Sequence, residues 1–257
     1  MNRFFVKPEY IENDVVEISG DDFNHISNSL RLKKGDKIII SIGDGYDYIV
    51  RLVNFKESSV SGQIIEKKSN QTEPSINIDL AQAIPKNRNI EFVIQKGTEI
   101  GVNNIIPLET ERTIVKLSKS KEKRRIERWQ TIAEESAKQS QRGNVPRIEG
   151  LVSFDNKEKL EELLNKYDRV LVLYAGETSK NIKDTIKNYK ENKIGNILLF
   201  IGPEGGFTKQ EIELLENSVS STKVETISLG PRILRTETAG IVALSAILYE
   251  FGDLGGE

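Results

Sequence analysis

Three glycine-rich stretches in the second half of the chain carry the residue types best suited to grip a small ligand. They are Ala175-Gly176-Glu177, Gly202-Pro203-Glu204-Gly205-Gly206, and the run Leu229-Gly230-Pro231-Arg232-Ile233-Leu234-Arg235-Thr236-Glu237-Thr238-Ala239-Gly240. Glycine lets a backbone come close to a ligand, and loops rich in Gly and Pro present N–H and C=O groups in fixed directions. The side chains that add charge to such a grip are chiefly Glu204, Arg232, Arg235 and Glu237. For Glu237 an N-cap or first-turn carboxylate on the last helix is the preferred reading. No familiar nucleotide or hydrolase signature fits: G-x-x-x-x-G-K-[ST], the full G-x-G-x-x-G, H-E-x-x-H and G-x-S-x-G are all absent. Gly43-Asp44-Gly45 follows an apolar run, but Tyr48 stands where a dinucleotide fingerprint needs glycine, so the spacing predicts a hairpin turn.

Composition narrows the chemistry further. The 257 residues hold no Cys and one His, which removes disulfides, thiolate metal sites and a cysteine nucleophile, and leaves multi-His metal sites and Ser-His-Asp hydrolysis without material. No metal is therefore expected. There is no charged-then-apolar leader and no apolar run near the ~20 residues that span a bilayer, so a cytoplasmic protein without a membrane partner is expected.

Each glycine stretch follows a short apolar run, Arg169–Tyr174, Asn196–Ile201 and Lys223–Ile227, of the kind that forms buried parallel strands. Ligands in open α/β sheets bind beyond the carboxyl ends of strands, so the three loops predict one pocket at one sheet edge. From residue 75 the pattern alternates: strands at 76–84 and 104–108, helices at 90–100, about 119–141, about 179–191 and about 208–217. Thr208 with Glu211 spells a capping box. The last element, Glu237–Phe251, is apolar nearly all round and needs cover on every side, from a core or a second subunit. This alternation predicts an α/β domain with a mostly parallel sheet. Residues 1–72 read differently, as short strands (3–6, 15–18, 37–42, 46–55, 59–66) with a small helix from Asp21 or Asp22 to Leu30. The polar stretch Lys67–Pro74 marks the boundary between them.

The formal net charge is −2, yet residues 112–147 hold 11 basic against 4 acidic residues, a net of +7. A solvated helix face explains such a run, and so does contact with a phosphate backbone. Ile126, Trp129, Ile132, Ala133 and Ala137 form an apolar stripe on the same helix. From the residues alone, the chain reads as a ligand pocket beside a basic surface.

The strings Gly202–Phe207 and Leu229–Ala239 resemble the RsmE family of SPOUT-class methyltransferases, which methylate N3 of one uridine in small-subunit ribosomal RNA. Lys96–Val102, Gln139–Arg142 with Pro146, and His25 with Leu30–Leu32 and Gly35-Asp36 support the resemblance over essentially the whole chain. Lys138 departs from it, because many members carry an acidic residue there. The resemblance implies a PUA-like RNA-binding β-barrel at 1–72 and a SPOUT trefoil-knot domain at 73–257. It also implies a homodimer, and S-adenosylmethionine as cofactor, held by Leu173, Gly176, Ile201, Gly202, Gly205, Leu229, Gly230, Ile233 and Leu234.

The acceptor then sets the chemical problem, because uracil N3 carries a proton and is not nucleophilic until that proton leaves. Arg235 cannot take it, since a guanidinium stays protonated. Its implied role is to stabilise negative charge on the uracil oxygens, a contribution of about 3 kcal/mol. Glu204, or alternatively Glu237, is the implied proton acceptor. The implied RNA contacts are Arg112, Lys123, Arg124, Arg128 and Arg142 along the basic stretch, with Arg3, His25 and Arg31 on the first domain. The implied partner is small-subunit ribosomal RNA, free or in the assembled subunit. The alternatives are a SPOUT methyltransferase acting on transfer RNA and an RNA-binding assembly factor that transfers no methyl group.

Overall fold

The computed structural model describes residues 1–87, 89–177, 179–219 and 223–255. Strands β1 (Arg3–Phe5), β2 (Ile11–Glu12), β3 (Val15–Ser19), β4 (Lys37–Ser41), β5 (Tyr46–Phe55) and β6 (Ser59–Ser69) form one sheet in the order β1-β4-β5-β6-β3-β2. All pairs are antiparallel except β1 with β4. Alternate residues turn inward onto one core: Phe4, Val16, Ile18, Ile38, Ile40, Val50, Leu52 and Val60, with Ile26 added from the helical segment. Register shifts at Ile49/Val50 and Leu52/Asn54 bend the two long strands around that core. At the inner side of the bend, a Cβ on Gly62 would lie 2.3 Å from Val50 Cγ1, so glycine alone fits. Helix α1 (Gly20–Asn24) has Ser19 at its N-cap, two residues before Asp21 and three before Asp22, the expected caps, and runs into a wider helical turn at His25–Ser29.

This unit comprises residues 1–73 and also 137–145, a segment expected in the second domain. Glu73 explains the association, since its carboxylate accepts from Arg142 Nη2 (2.6 Å) and from the backbone N–H groups of Gly143 (2.8 Å) and Asn144 (3.1 Å). Lys138, the departure from the family pattern, pairs with Asp22 at 2.9 Å.

The second unit comprises residues 74–136 and the chain from 146 onward. Its strands are β7 (Asn77–Ala83), β8 (Asn104–Glu109), β9 (Arg147–Ile148), β10 (Val152–Ser153), β11 (Arg169–Leu173), β12 (Asn196–Ile201) and β13 (Val224–Ile227). They run in the order β10-β8-β7-β12-β11-β13, with β9 also on β8, and every pair is parallel. Helices α2 (Asn89–Ile100), α3 (Lys119–Gln139, whose last three residues count with the first unit), α4 (Lys157–Asn165), α5 (Ile182–Glu191), α6 (Lys209–Ser218) and α7 (Thr236–Phe251) complete it. One sheet face buries Val170, Val172, Leu198 and Phe200 against Leu160 and Leu164 of α4 and Ile212 and Leu215 of α6. On the other, α7 packs on β7 and β12 and against α2 and α5. Gly240 permits that approach, because a Cβ there would stand 2.9 Å from Gln82 Oε1.

Helix α4 and strands β9 and β10 are additions to what the apolar pattern predicts. The apolar last helix is covered over Gly240, Ala243, Leu244, Ile247 and Leu248, while Val242 and Tyr249 stay 41% and 69% exposed. Among the described residues, no helix is long and apolar enough to cross a membrane.

Candidate ligand site and basic surface

Strand register brings the glycine loops together. Leu173 lies beside Ile201 on one neighbour and Ile227 on the other, and Ile201 lies beside Gln82, so the loops after β7, β11, β12 and β13 share one carboxyl edge. The loop after β11 is pinned by Glu177. One of its oxygens accepts from Ser179 Oγ (2.7 Å), Ser179 N (2.6 Å) and Lys180 N (3.1 Å), and the other from Thr226 Oγ1 (2.9 Å). These donors, led by the Ser179 hydroxyl, hold the carboxyl at about 2, well below the usual glutamate value. Ser228 N, at the start of the loop after β13, donates to Lys180 O at 2.9 Å and ties that loop to the same segment.

The loop after β12 is anchored in the core by Phe207, whose ring meets Phe154 and Phe200 at 5.8 and 6.5 Å between centroids. A Cβ on Gly202 would meet that ring at 3.2 Å, which is why residue 202 has none. The predicted capping box forms, with Thr208 and Glu211 exchanging bonds of 2.8 and 3.2 Å at the start of α6. A buried relay crosses the edge: Gln82 Nε2 donates to Thr236 Oγ1 (2.9 Å), which donates to Gly202 O (2.5 Å). Outside, Arg112 Nη1 donates to Gly205 O at 2.7 Å.

The expected cofactor residues fall into two groups. Ile201 and Gly202 are buried, and Leu173, Leu229 and Leu234 are half-buried. Gly176, Gly205, Gly230 and Ile233 are exposed, Ile233 almost completely at 96%. Gly230 has φ +102 with open space where a Cβ would point, so the chain there takes a conformation and leaves a clearance that favour glycine. Half-buried leucines, Leu173 at the end of β11 and Leu229 and Leu234 in the loop after β13, with bare glycine backbone among them, suit a nucleoside held by apolar contact and main-chain groups.

Arg235 is exposed and sits at the N-cap of α7, its carbonyl accepting from Ala239 N at 2.8 Å. Glu204 is exposed and accepts from Lys86 N at 2.9 Å. Glu237, in the first turn of α7, accepts from Asn89 Nδ2 at 3.0 Å. Both carboxylates therefore hold the β7–α2 segment, a fourth loop that the glycine pattern misses. Its sequence signal is present all the same: Pro85, Lys86 and Asn87 follow an apolar strand as the other loops do.

On the basic stretch Lys123, Arg124 and Arg128 are exposed, the last with Glu91 at 2.9 Å. Arg112 is exposed but engaged with Gly205. Two expected RNA contacts are corrected. Arg142 is 4% exposed and spent on Glu73. Arg3 is also 4% exposed, bound to the Ser41 hydroxyl and, at 2.5 and 2.6 Å, to the Asp47 carboxylate. Buried guanidinium groups with carboxylate partners cannot reach a phosphate. Arg31 is exposed, with a positive φ of 53°, and His25 is half-buried, edge-on to Phe4 at 6.0 Å. Among the described residues, no group of three His, Asp or Glu side chains is arranged around a metal position.

Comparison with known proteins defines the class. Residues 72–248 match the family described as RNA methyltransferase domain, and residues 18–65 the RNA methyltransferase PUA domain. The fold is accordingly a PUA-like domain followed by a SPOUT-class α/β domain. Ribosomal RNA small subunit methyltransferase E of Bacillus subtilis is 36% identical over all of both chains. A Legionella pneumophila putative methyltransferase solved with S-adenosylmethionine aligns with TM-score 0.79 and 30% identity over 96% of this chain and 97% of that one. The small subunit methyltransferase E of Neisseria gonorrhoeae, also bound to S-adenosylmethionine, aligns with TM-score 0.79 and 27% identity over 99% of each chain. The chain belongs to the ribosomal RNA small subunit methyltransferase E family.

Proposed function

We propose that the protein transfers a methyl group from S-adenosylmethionine to N3 of a uridine in small-subunit ribosomal RNA. The observation that carries this is the meeting of the three glycine loops and Arg235 at one sheet edge, in a chain related to such enzymes along its full length. Leu173, Leu229 and Leu234 would supply apolar contact to the adenosine, with Ile201, Gly202, Gly230 and Ile233 around it and Gly176 and Gly205 at the rims. When bound, S-adenosylmethionine supplies a methyl carbon already made electrophilic by the sulfonium.

The protein's own task is the acceptor. Arg235 is the donor to the uracil oxygens as N3 loses its proton, and Glu204 is the proton acceptor. Its Oε1 is engaged with Lys86 N, and a carboxylate has lone pairs to spare. Lys123, Arg124, Arg128 and Arg112 contact phosphates, with His25 and Arg31 on the PUA-like domain at 1–72. The methyltransferase domain is 73–257. A homodimer would cover Val242 and Tyr249 of α7. The place of action is the cytoplasm, where the substrate is small-subunit RNA, free or assembled.

Transfer of labelled methyl to unmodified small subunits, naked small-subunit RNA and transfer RNA, run in parallel, tests the substrate. Label in either ribosomal sample and none in transfer RNA is expected. Label only in transfer RNA, or in none of the three, overturns the proposal.

A further inference from the structure

A pocket of about 180 Å³ opens between the start of α2 and the middle of α3, lined by Asn87, Ile90, Glu91, Arg125, Arg128 and Trp129. A cavity of about 150 Å³ holds a benzene ring, whereas drug-sized ligands need about 300 Å³ or more. The pocket therefore fits one small aromatic ring and is too small for S-adenosylmethionine. Its walls mix kinds of surface that recognise a nucleobase. Ile90 and Trp129 line it as buried apolar side chains, 2% and 1% exposed, and two guanidinium groups offer flat, cationic donors that stack on bases and bind phosphates. Arg125 is half-buried and Arg128 is exposed, and the Glu91 carboxylate at 2.9 Å from Arg128 is an acceptor for a base amino group.

Position links this pocket to the reaction edge. Asn87 follows Lys86, whose N–H is held by Glu204, and precedes by two residues Asn89, which is held by Glu237. Consecutive Cα atoms are about 3.8 Å apart, so one short loop carries both the wall of the pocket and the anchors of the two carboxylates. Lys123 and Arg124, exposed on the same helix as Arg125 and Arg128, extend the cationic surface away from it.

We infer that this pocket receives the single-ring base of a nucleotide next to the methyl-accepting uridine and so selects the sequence around it. The inference rests on the RNA methyltransferase reading above and adds a base-recognition site to it.

Trp129 is the only tryptophan in the chain, so its emission reports on this pocket without a label. The probe is a fluorescein-tagged RNA fragment spanning the uridine that accepts label, with two further versions lacking the base on its 5′ or its 3′ side. Anisotropy reports binding, and Trp129 emission reports occupancy. The parent fragment is expected to change Trp129 emission saturably. One abasic fragment is expected to bind at least tenfold more weakly and to leave emission unchanged at saturation. These arms use the unaltered protein. Arg125→Ala is expected to weaken the parent fragment about tenfold, with Arg125→Lys recovering part of the loss, and to add nothing to the loss caused by the critical abasic site. Binding with no change in Trp129 emission, equal emission changes from all three fragments, or strictly additive losses would overturn the inference while methyl transfer stands. Absence of methyl transfer from the unaltered protein would instead overturn the function reading, and this site with it.

Discussion

Replacing Thr236 with valine removes one hydroxyl and keeps the shape. That hydroxyl accepts from Gln82 Nε2 at 2.9 Å and donates to Gly202 O at 2.5 Å, and Thr236 is 4% exposed. The substitution leaves a buried amide hydrogen and a buried carbonyl without their partner, each costing about 1–3 kcal/mol, offset by about 1 kcal/mol from the added methyl. The net destabilisation is about 3 kcal/mol. For a unit of this size each kcal/mol moves the melting temperature by about 2–4 °C, so the calorimetric transition should fall by about 6–12 °C. Gly202 loses its tether, and affinity for S-adenosylmethionine, measured by titration calorimetry, should drop about tenfold. Thr236→Ser keeps the hydroxyl and should stay within about 1 kcal/mol of the parent. A Thr236→Val protein that melts within about 1 °C of the parent and binds the cofactor equally well would refute the relay as the device that positions the loop after β12.

Arg235→Ala should lower the rate of methyl transfer about 100-fold with little change in cofactor affinity, as removal of one charge-stabilising donor does; single-turnover kinetics on RNA checks this. Lys123→Ala and Arg124→Ala should each reduce the slope of log affinity against log salt by about 1, whereas Arg142→Ala should leave that slope unchanged and lower the melting temperature, because it takes from Glu73 its cationic partner and leaves only two backbone donors. Equal salt effects from all three would contradict the burial argument. Glu177, depressed from about 4.5 to about 2, contributes stability that is present above pH 4.5 and is lost as the pH falls toward 2. Melting temperature should therefore decline over that window in the parent and less steeply in Glu177→Gln, as a calorimetric pH series would show.

Local pattern carries local structure, and those parts of the fold were legible. The turn residues Gly43-Asp44-Gly45 and Glu57-Ser58 bracketed the strand Tyr46–Phe55 to the residue, and the apolar run Asn196–Ile201 located its buried parallel strand equally well. Thr208 and Glu211 marked a helix start because a capping box is three residues long. Helix α4 was missed although Asn156 caps it, because its apolar Leu160, Leu163 and Leu164 sit among charged residues in a segment of only nine residues. The two-residue strands β9 and β10 are too short to show a period at all.

The site divides the same way. Glycine loops announce themselves because their chemistry is in the backbone, and register at Leu173, Ile201 and Ile227 then assembles them. Ion pairs such as Arg3–Asp47 and Arg142–Glu73 join residues 44 and 69 positions apart, so a basic residue spent on structure looks in the sequence like one offered to phosphate. The same distance hid the engagement of Glu204 with Lys86, 118 positions away, and with it the fourth loop of the site.

The most direct test of the central claim is nucleoside analysis of the methylated product. Unmodified small subunits are incubated with the protein and S-adenosylmethionine, the RNA is digested, and methylated nucleosides are identified by mass spectrometry against standards. The account predicts a single new product, 3-methyluridine, formed by the parent and about 100-fold more slowly by Arg235→Ala. A methyl group on a ribose 2′-hydroxyl, on uracil carbon 5 or on another base would contradict it.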